Sequence, residues 1–119
     1  MSDTVLFAAA EALVSRELGI CSGREPCFLY GGSRVEVKPS EYIDDVEPPY
    51  FDVRRTASDI CVFSLKNGLK WDFYIIRTSV LNSCFAGLPA VSLPMIAPLA
   101  LHVDVGGVKQ AVDLAVKVA

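Results

Sequence analysis

The chain has 119 residues, a net charge of −3, 52% hydrophobic and 21% charged residues. That length is one domain's worth, able to bury a core without disulfide or metal staples. The acidic balance excludes bulk attraction to nucleic acid, so any DNA contact needs a local basic patch.

The apolar content is high for a globular chain and leaves surface to cover a partner, a homodimer being the default. The N-terminus carries Asp3 and no early Lys or Arg, unlike a secretory signal. Residues 4–18 form the first expected helix. Ser2 or Asp3 caps it, Val5, Leu6, Ala9, Ala10 and Leu13 fall near one face, and Gly19 stops it. A loop over residues 21–26 follows, marked by Ser22, Gly23 and Pro26.

Residues 28–30 and 34–38 read as a hairpin about Gly31-Gly32, because glycine tolerates the positive φ of tight turns. Pro39 is expected to end the second strand, having no N–H to donate. Residues 40–49 hold Glu41, Asp44, Asp45, Glu47 and Pro48-Pro49 and form an acidic connection. Three more strands are expected: residues 50–54, with Phe51 and Val53 on one face; the apolar run 59–65; and the aromatic, β-branched run 71–77. Asn67-Gly68 turns the chain between the last two.

The weakly polar stretch 86–103 is broken by Pro89, Pro94 and Pro98, so it makes a poor membrane-spanning helix. Gly106-Gly107 precedes a last helix, residues 108–118, with Val108, Ala111, Val112 and Ala115 on one stripe. The order predicts a single α/β domain over residues 1–119, a mixed central sheet with flanking helices. The four cysteines (Cys21, Cys27, Cys61 and Cys84) have neither CxxC nor zinc spacing and read as free buried thiols of a cytoplasmic protein.

The chemistry concentrates in Arg34-Val35-Glu36-Val37-Lys38. Side chains alternate along a strand, so Val35 and Val37 point one way and Glu36 and Lys38 the other, with Cα atoms about 6.6 Å apart. A carboxylate and an ammonium side by side suit phosphodiester hydrolysis: the first holds a divalent cation, the second orients water or stabilises phosphate charge. The same run is also the ordinary alternation of a half-solvated strand.

Its context is more specific. Glu11-Ala-Leu-Val, Arg34-Val-Glu-Val-Lys-Pro-Ser, Phe51-Asp-Val-Arg-Arg, Ala57-Ser-Asp-Ile-Cys-Val-Phe and Trp71-Asp-Phe-Tyr-Ile-Ile-Arg-Thr-Ser-Val-Leu occur in this order. Over residues 11–92 the series resembles small bacterial proteins of the PD-(D/E)XK, or restriction-endonuclease-like, superfamily. The resemblance implies a DNA phosphodiesterase using Mg²⁺ or Mn²⁺. Glu36 would be the motif carboxylate and metal ligand, Lys38 the motif lysine, and Glu11 a helix carboxylate completing the site. Arg54, Arg55 and Arg77 would face DNA phosphates.

The family pattern expects an Asp nine residues before the motif Glu, where this chain has Cys27. A thiol is soft and must lose a proton before binding metal, so it replaces that ligand badly. Activity is expected to be weakened or lost unless Asp52 supplies the missing acid. The alternative is a non-catalytic binding or homo-oligomeric assembly module on the same fold. His102, the only histidine, sits near Asp104 but has no nucleophile in its motif and reads as a surface or strand-edge residue. Phe63, Trp71, Phe73 and Tyr74 read as packing residues.

Overall fold

The computed structural model describes residues 3–20, 27–43, 48–54 and 56–118. In chain order these form α1 (Asp3–Leu18), β1 (Cys27–Tyr30), β2 (Ser33–Glu41), β3 (Tyr50–Asp52), β4 (Ile60–Asn67), β5 (Lys70–Arg77), α2 (Thr78–Phe85), β6 (Ala90–Ser92), α3 (Leu93–Ile96), β7 (Leu101–Val103) and α4 (Val108–Val118), with one-turn 3₁₀ segments on either side of β7. The loop expected at residues 21–26 lies outside the described residues.

The architecture is α/β. A five-stranded mixed sheet runs in the order β1-β2-β4-β5-β7, and β3 and β6 make a separate two-stranded sheet. β1 and β2 are the expected hairpin, with Gly31 and Gly32 both at positive φ. Asn67 pairs with Lys70 across the expected turn, where Gly68 has φ 63°. The β2–β4 pair is parallel; the other pairs of the sheet are antiparallel. A parallel pair needs a crossover, and here the connection carries β3 across one face of the sheet. Phe51 of β3 meets Phe63 of β4 edge-on, with centroids 4.9 Å apart.

Pro39 does not end β2, which continues to Glu41. The Tyr42 N–H donates to the Lys66 carbonyl, so even-numbered residues of β2 turn their backbone groups toward β4. Pro39 is out of phase with them and faces the other edge, past the Cys27–Glu36 pair where β1 begins. No donor is needed there, and the proline is tolerated.

The core has two halves, one on each sheet face. Val35, Val37, Ile60, Val62, Phe73 and Ile75 meet Ala10, Val14 and Leu18 of α1 and the expected stripe Val108, Ala111, Val112 and Ala115 of α4. On the other face Cys61, Phe63, Leu65, Tyr74 and Ile76 meet Phe51, Leu81, Val91 and Ile96. Val5, expected on the inner face of α1, is 53% exposed, because burial follows Leu6, Ala10 and Val14 at i, i+4 and i+8 and leaves Val5 a step of 100° away.

The strand expected at residues 50–54 is only Tyr50–Asp52 and lies outside the main sheet. Residues 78–103 hold α2, β6, α3 and β7, none of which the sequence pattern announced. Three- and four-residue elements are too short to display a period. Among the described residues no helix is long and apolar enough to cross a membrane.

Candidate functional site

Val35 and Val37 anchor β2 on the helical face, so alternation drives Glu36 and Lys38 into the opposite face. They are not solvated there: Glu36 is 8% and Lys38 9% exposed. Lys38 Nζ lies 2.9 Å from Glu36 Oε2, a charge-assisted contact of ideal length. Glu36 Oε1 is buried and has no hydrogen-bond partner. The pairing register explains the enclosure. Glu36 lies across from Cys27 on β1 and Cys61 on β4, and Lys38 across from Phe63.

Cys61, across from Glu36, belongs to a cluster of buried thiol and hydroxyl groups. Cys61 Sγ and Thr78 Oγ1 lie 3.3 Å apart, as do Ser58 Oγ and Thr78 Oγ1, and Ser58 Oγ is 3.7 Å from Cys61 Sγ. Burial pushes the Cys61 thiol up, against the smaller opposing effect of the Thr78 and Ser58 hydrogen bonds. Burial also raises Cys27, reinforced by the Glu36 charge and opposed by Arg34 and Lys38. Both cysteines therefore favour the neutral thiol, the form that does not bind metal. Cys27 is half-buried and Cys84 exposed, so only Cys61 of the described cysteines fits the expected buried thiol; Cys21 lies outside the described residues. Cys84 points outward because α2 buries only Thr78 and Leu81.

Magnesium and manganese require several oxygen ligands. Beside Glu36 stand two thiols and an ammonium already on one carboxylate oxygen. Among the described residues no three His, Cys, Asp or Glu side chains converge to hold a metal ion. The residues present do not fit the hard cation, even though Oε1 lacks a partner.

The other expected site residues are dispersed. Glu11 belongs to α1, which covers the Val35/Val37 face, opposite the ion pair. Its carboxyl is raised by burial alone. Asp52 lies close enough to Lys38 to be pulled lower by its charge, but its principal partner is Arg54. Arg54 Nη2 donates to Asp52 Oδ2 at 2.7 Å and Nε to Oδ1 at 3.1 Å, holding the carboxyl at about 2. That guanidinium, expected to face phosphate, is engaged within its own chain. Arg77 ends β5 and lines a cleft with Val80, Leu99 and Leu101. Arg55 lies outside the described residues.

A cleft of about 450 Å³ opens past the end of the motif, lined by Asp3, Leu6, Phe7, Pro39, Ser40 and Asp52 among others, but not by Glu36 or Lys38. His102 is the exposed strand-edge residue the sequence suggests. It stacks on Tyr74 with centroids 4.4 Å apart, and its Nε2 lies 3.0 Å from Asp72 Oδ1. Asp104 instead caps the following turn, accepting from the Gly107 N–H. No sequence signal links His102 to a carboxylate 30 residues away; the β5–β7 register creates the contact.

A scan of protein-family models finds no match, and neither curated proteins nor solved structures give a significant one.

Proposed function

We propose that this chain is a PD-(D/E)XK nuclease-like domain, cytoplasmic, that has lost phosphodiester hydrolysis and works as a binding and assembly module. The single observation that carries this reading is the closed ion pair. Lys38 is spent on Glu36, and the strand position facing Glu36, where the superfamily pattern expects an acid, holds the Cys27 thiol. A lysine neutralising the motif carboxylate neither orients water nor meets phosphate. A DNA partner gains little support, since Arg54 is held by Asp52 and the net charge is −3.

The purified chain incubated with supercoiled plasmid and Mn²⁺ is expected to leave it intact, and Mn²⁺ is expected not to move the melting temperature. Cleavage abolished by Glu36→Ala or Lys38→Ala would overturn the reading. Cys27→Asp restores a carboxylate across the strand from Glu36. On the nuclease-like ancestry it should confer a Mn²⁺-dependent rise in melting temperature that the natural chain lacks. If the variant folds but ignores Mn²⁺, the kinship loses its chemical basis.

A further inference from the structure

We infer that the cleft between β7 and α4 binds a small aliphatic carboxylate, its tail along Leu101 and Leu114 and its head on Arg77. The inference does not rest on the nuclease kinship, since neither Glu36 nor Lys38 lines this cleft.

Strand alternation fixes the place of the cation. Arg77 follows Ile75 by two residues and so shares its face of the sheet. Ile75 is buried in the helical half of the core and pairs with Leu101 of β7. That pair is the last of the β5–β7 ladder, so β5 runs on past β7 and Arg77 lines the space beyond it. The space is a cleft of about 300 Å³. Leu101 and Leu114, 44% and 48% exposed, form its sides, and Val80 and Leu99 close its end. A smaller recess of about 130 Å³ continues it along α4 past Ala111 to Gln110 and shares the same two leucines.

Size and charge select the occupant. Small-ligand pockets measure roughly 300–1,000 Å³, and this cleft reaches the lower end of that range. A stable protein interface takes about 20–30 residues a side, whereas eight described residues line the cleft. Its lining is aliphatic apart from the one guanidinium and holds no acid. Residues 86–103, which supply Leu99 and Leu101, carry no acid, lysine or arginine. An apolar trough ending at a single cation is complementary to an apolar tail ending in an anion. Arg77 already interacts within its own chain. A guanidinium nonetheless has five N–H donors, more than one acceptor takes up, in a fork that matches a carboxylate. The trough follows α4 from Gln110 to Ala115, about 7.5 Å at 1.5 Å per residue, so a tail of about six to eight carbons fills it.

Titration of the full chain with sodium butanoate, hexanoate, octanoate and decanoate, read by calorimetry and methyl NMR, tests this. Affinity should rise about two- to fourfold per methylene, the upper figure being that of a fully buried CH₂. The rise should stop at octanoate, because the end of decanoate leaves the trough. Methyl signals of Leu99, Leu101 and Leu114 should shift, while those of Leu69, at the exposed β4–β5 turn, should not. Octanol should bind at least about tenfold more weakly than octanoate, and Arg77→Gln should abolish that difference. Leu114→Glu, at a half-exposed position, should remove octanoate binding with an unchanged circular dichroism spectrum. No binding at millimolar octanoate, or an affinity indifferent to chain length, would overturn the inference. So would shifts at Leu69 equal to those at Leu114, or octanoate binding unchanged in both variants. A dimer in sedimentation whose formation shields the Leu114 methyls would give the cleft to a second chain and overturn it as well.

Discussion

On one face of the central sheet, Val35 and Val37 lie under α1 and α4 in an apolar cluster, and the buried polar residues on that side, Ser15 and Ser64, carry no charge. On the other, Glu36 and Lys38 lie among Cys61, Phe63 and Ile76, beneath β3, α2, β6 and α3. The same strands supply both faces, so the difference comes from what covers them. Two helices of 16 and 11 residues lay continuous apolar stripes on the sheet. Short segments form a more irregular cover, and polar groups persist beneath it: an ion pair, a partnerless carboxylate oxygen and the Ser58/Cys61/Thr78 cluster. A buried ion pair is weak evidence for stability, because desolvation offsets most of its attraction.

The sharpest way to break this contrast is Lys38→Met. It leaves the Glu36 carboxylate buried beside an apolar side chain and should cost about 3–5 kcal/mol in urea denaturation. The double variant Glu36→Leu/Lys38→Met should regain most of that loss. A cost for Lys38→Met below about 1 kcal/mol would mean that water reaches the pair and that the two faces do not differ as described. On the helical face, Ile75→Val removes one methylene from a surround without charged groups and should cost about 1 kcal/mol, independent of salt. A larger, salt-sensitive loss would reveal polar coupling through the sheet.

The smallest effect concerns the rim of the helical face. The Tyr30 hydroxyl donates to Asp113 of α4, whose other oxygen meets Lys109 at 3.0 Å. The Tyr30 hydrogen bond first, and Lys109 second, hold the Asp113 carboxyl below its ordinary range. A depressed carboxyl contributes stability above its unfolded pKa of about 4 and loses it as pH falls through the folded value. Tyr30→Phe should therefore cost under about 1 kcal/mol at neutral pH, discounted for solvent exposure. The difference in melting temperature should shrink on acidification below pH 4. A difference that persists at low pH would assign the effect to packing rather than to the carboxylate.

Much of this was legible along the chain. The stripe of α4, the hairpin at Gly31-Gly32 and the turn at Asn67-Gly68 follow from local spacing and glycine's access to positive φ. So does the common direction of Glu36 and Lys38, which needs only that β2 be a strand. Other features were not legible. Pro39 sits inside β2 because β1 happens to begin opposite Glu36. His102 meets Asp72 through a contact that no motif spacing announces.

Sequence alone determined which side chains share a face, since alternation is a property of the backbone and acts over two residues. Tertiary structure alone decided that the Glu36/Lys38 face is closed, that the sites expected of Glu11 and Arg54 do not converge on it, and that β7 is left as an edge. Those outcomes depend on where segments far apart in the chain come to rest, and the free energy of burying a face belongs to both partners that meet there rather than to either run of residues.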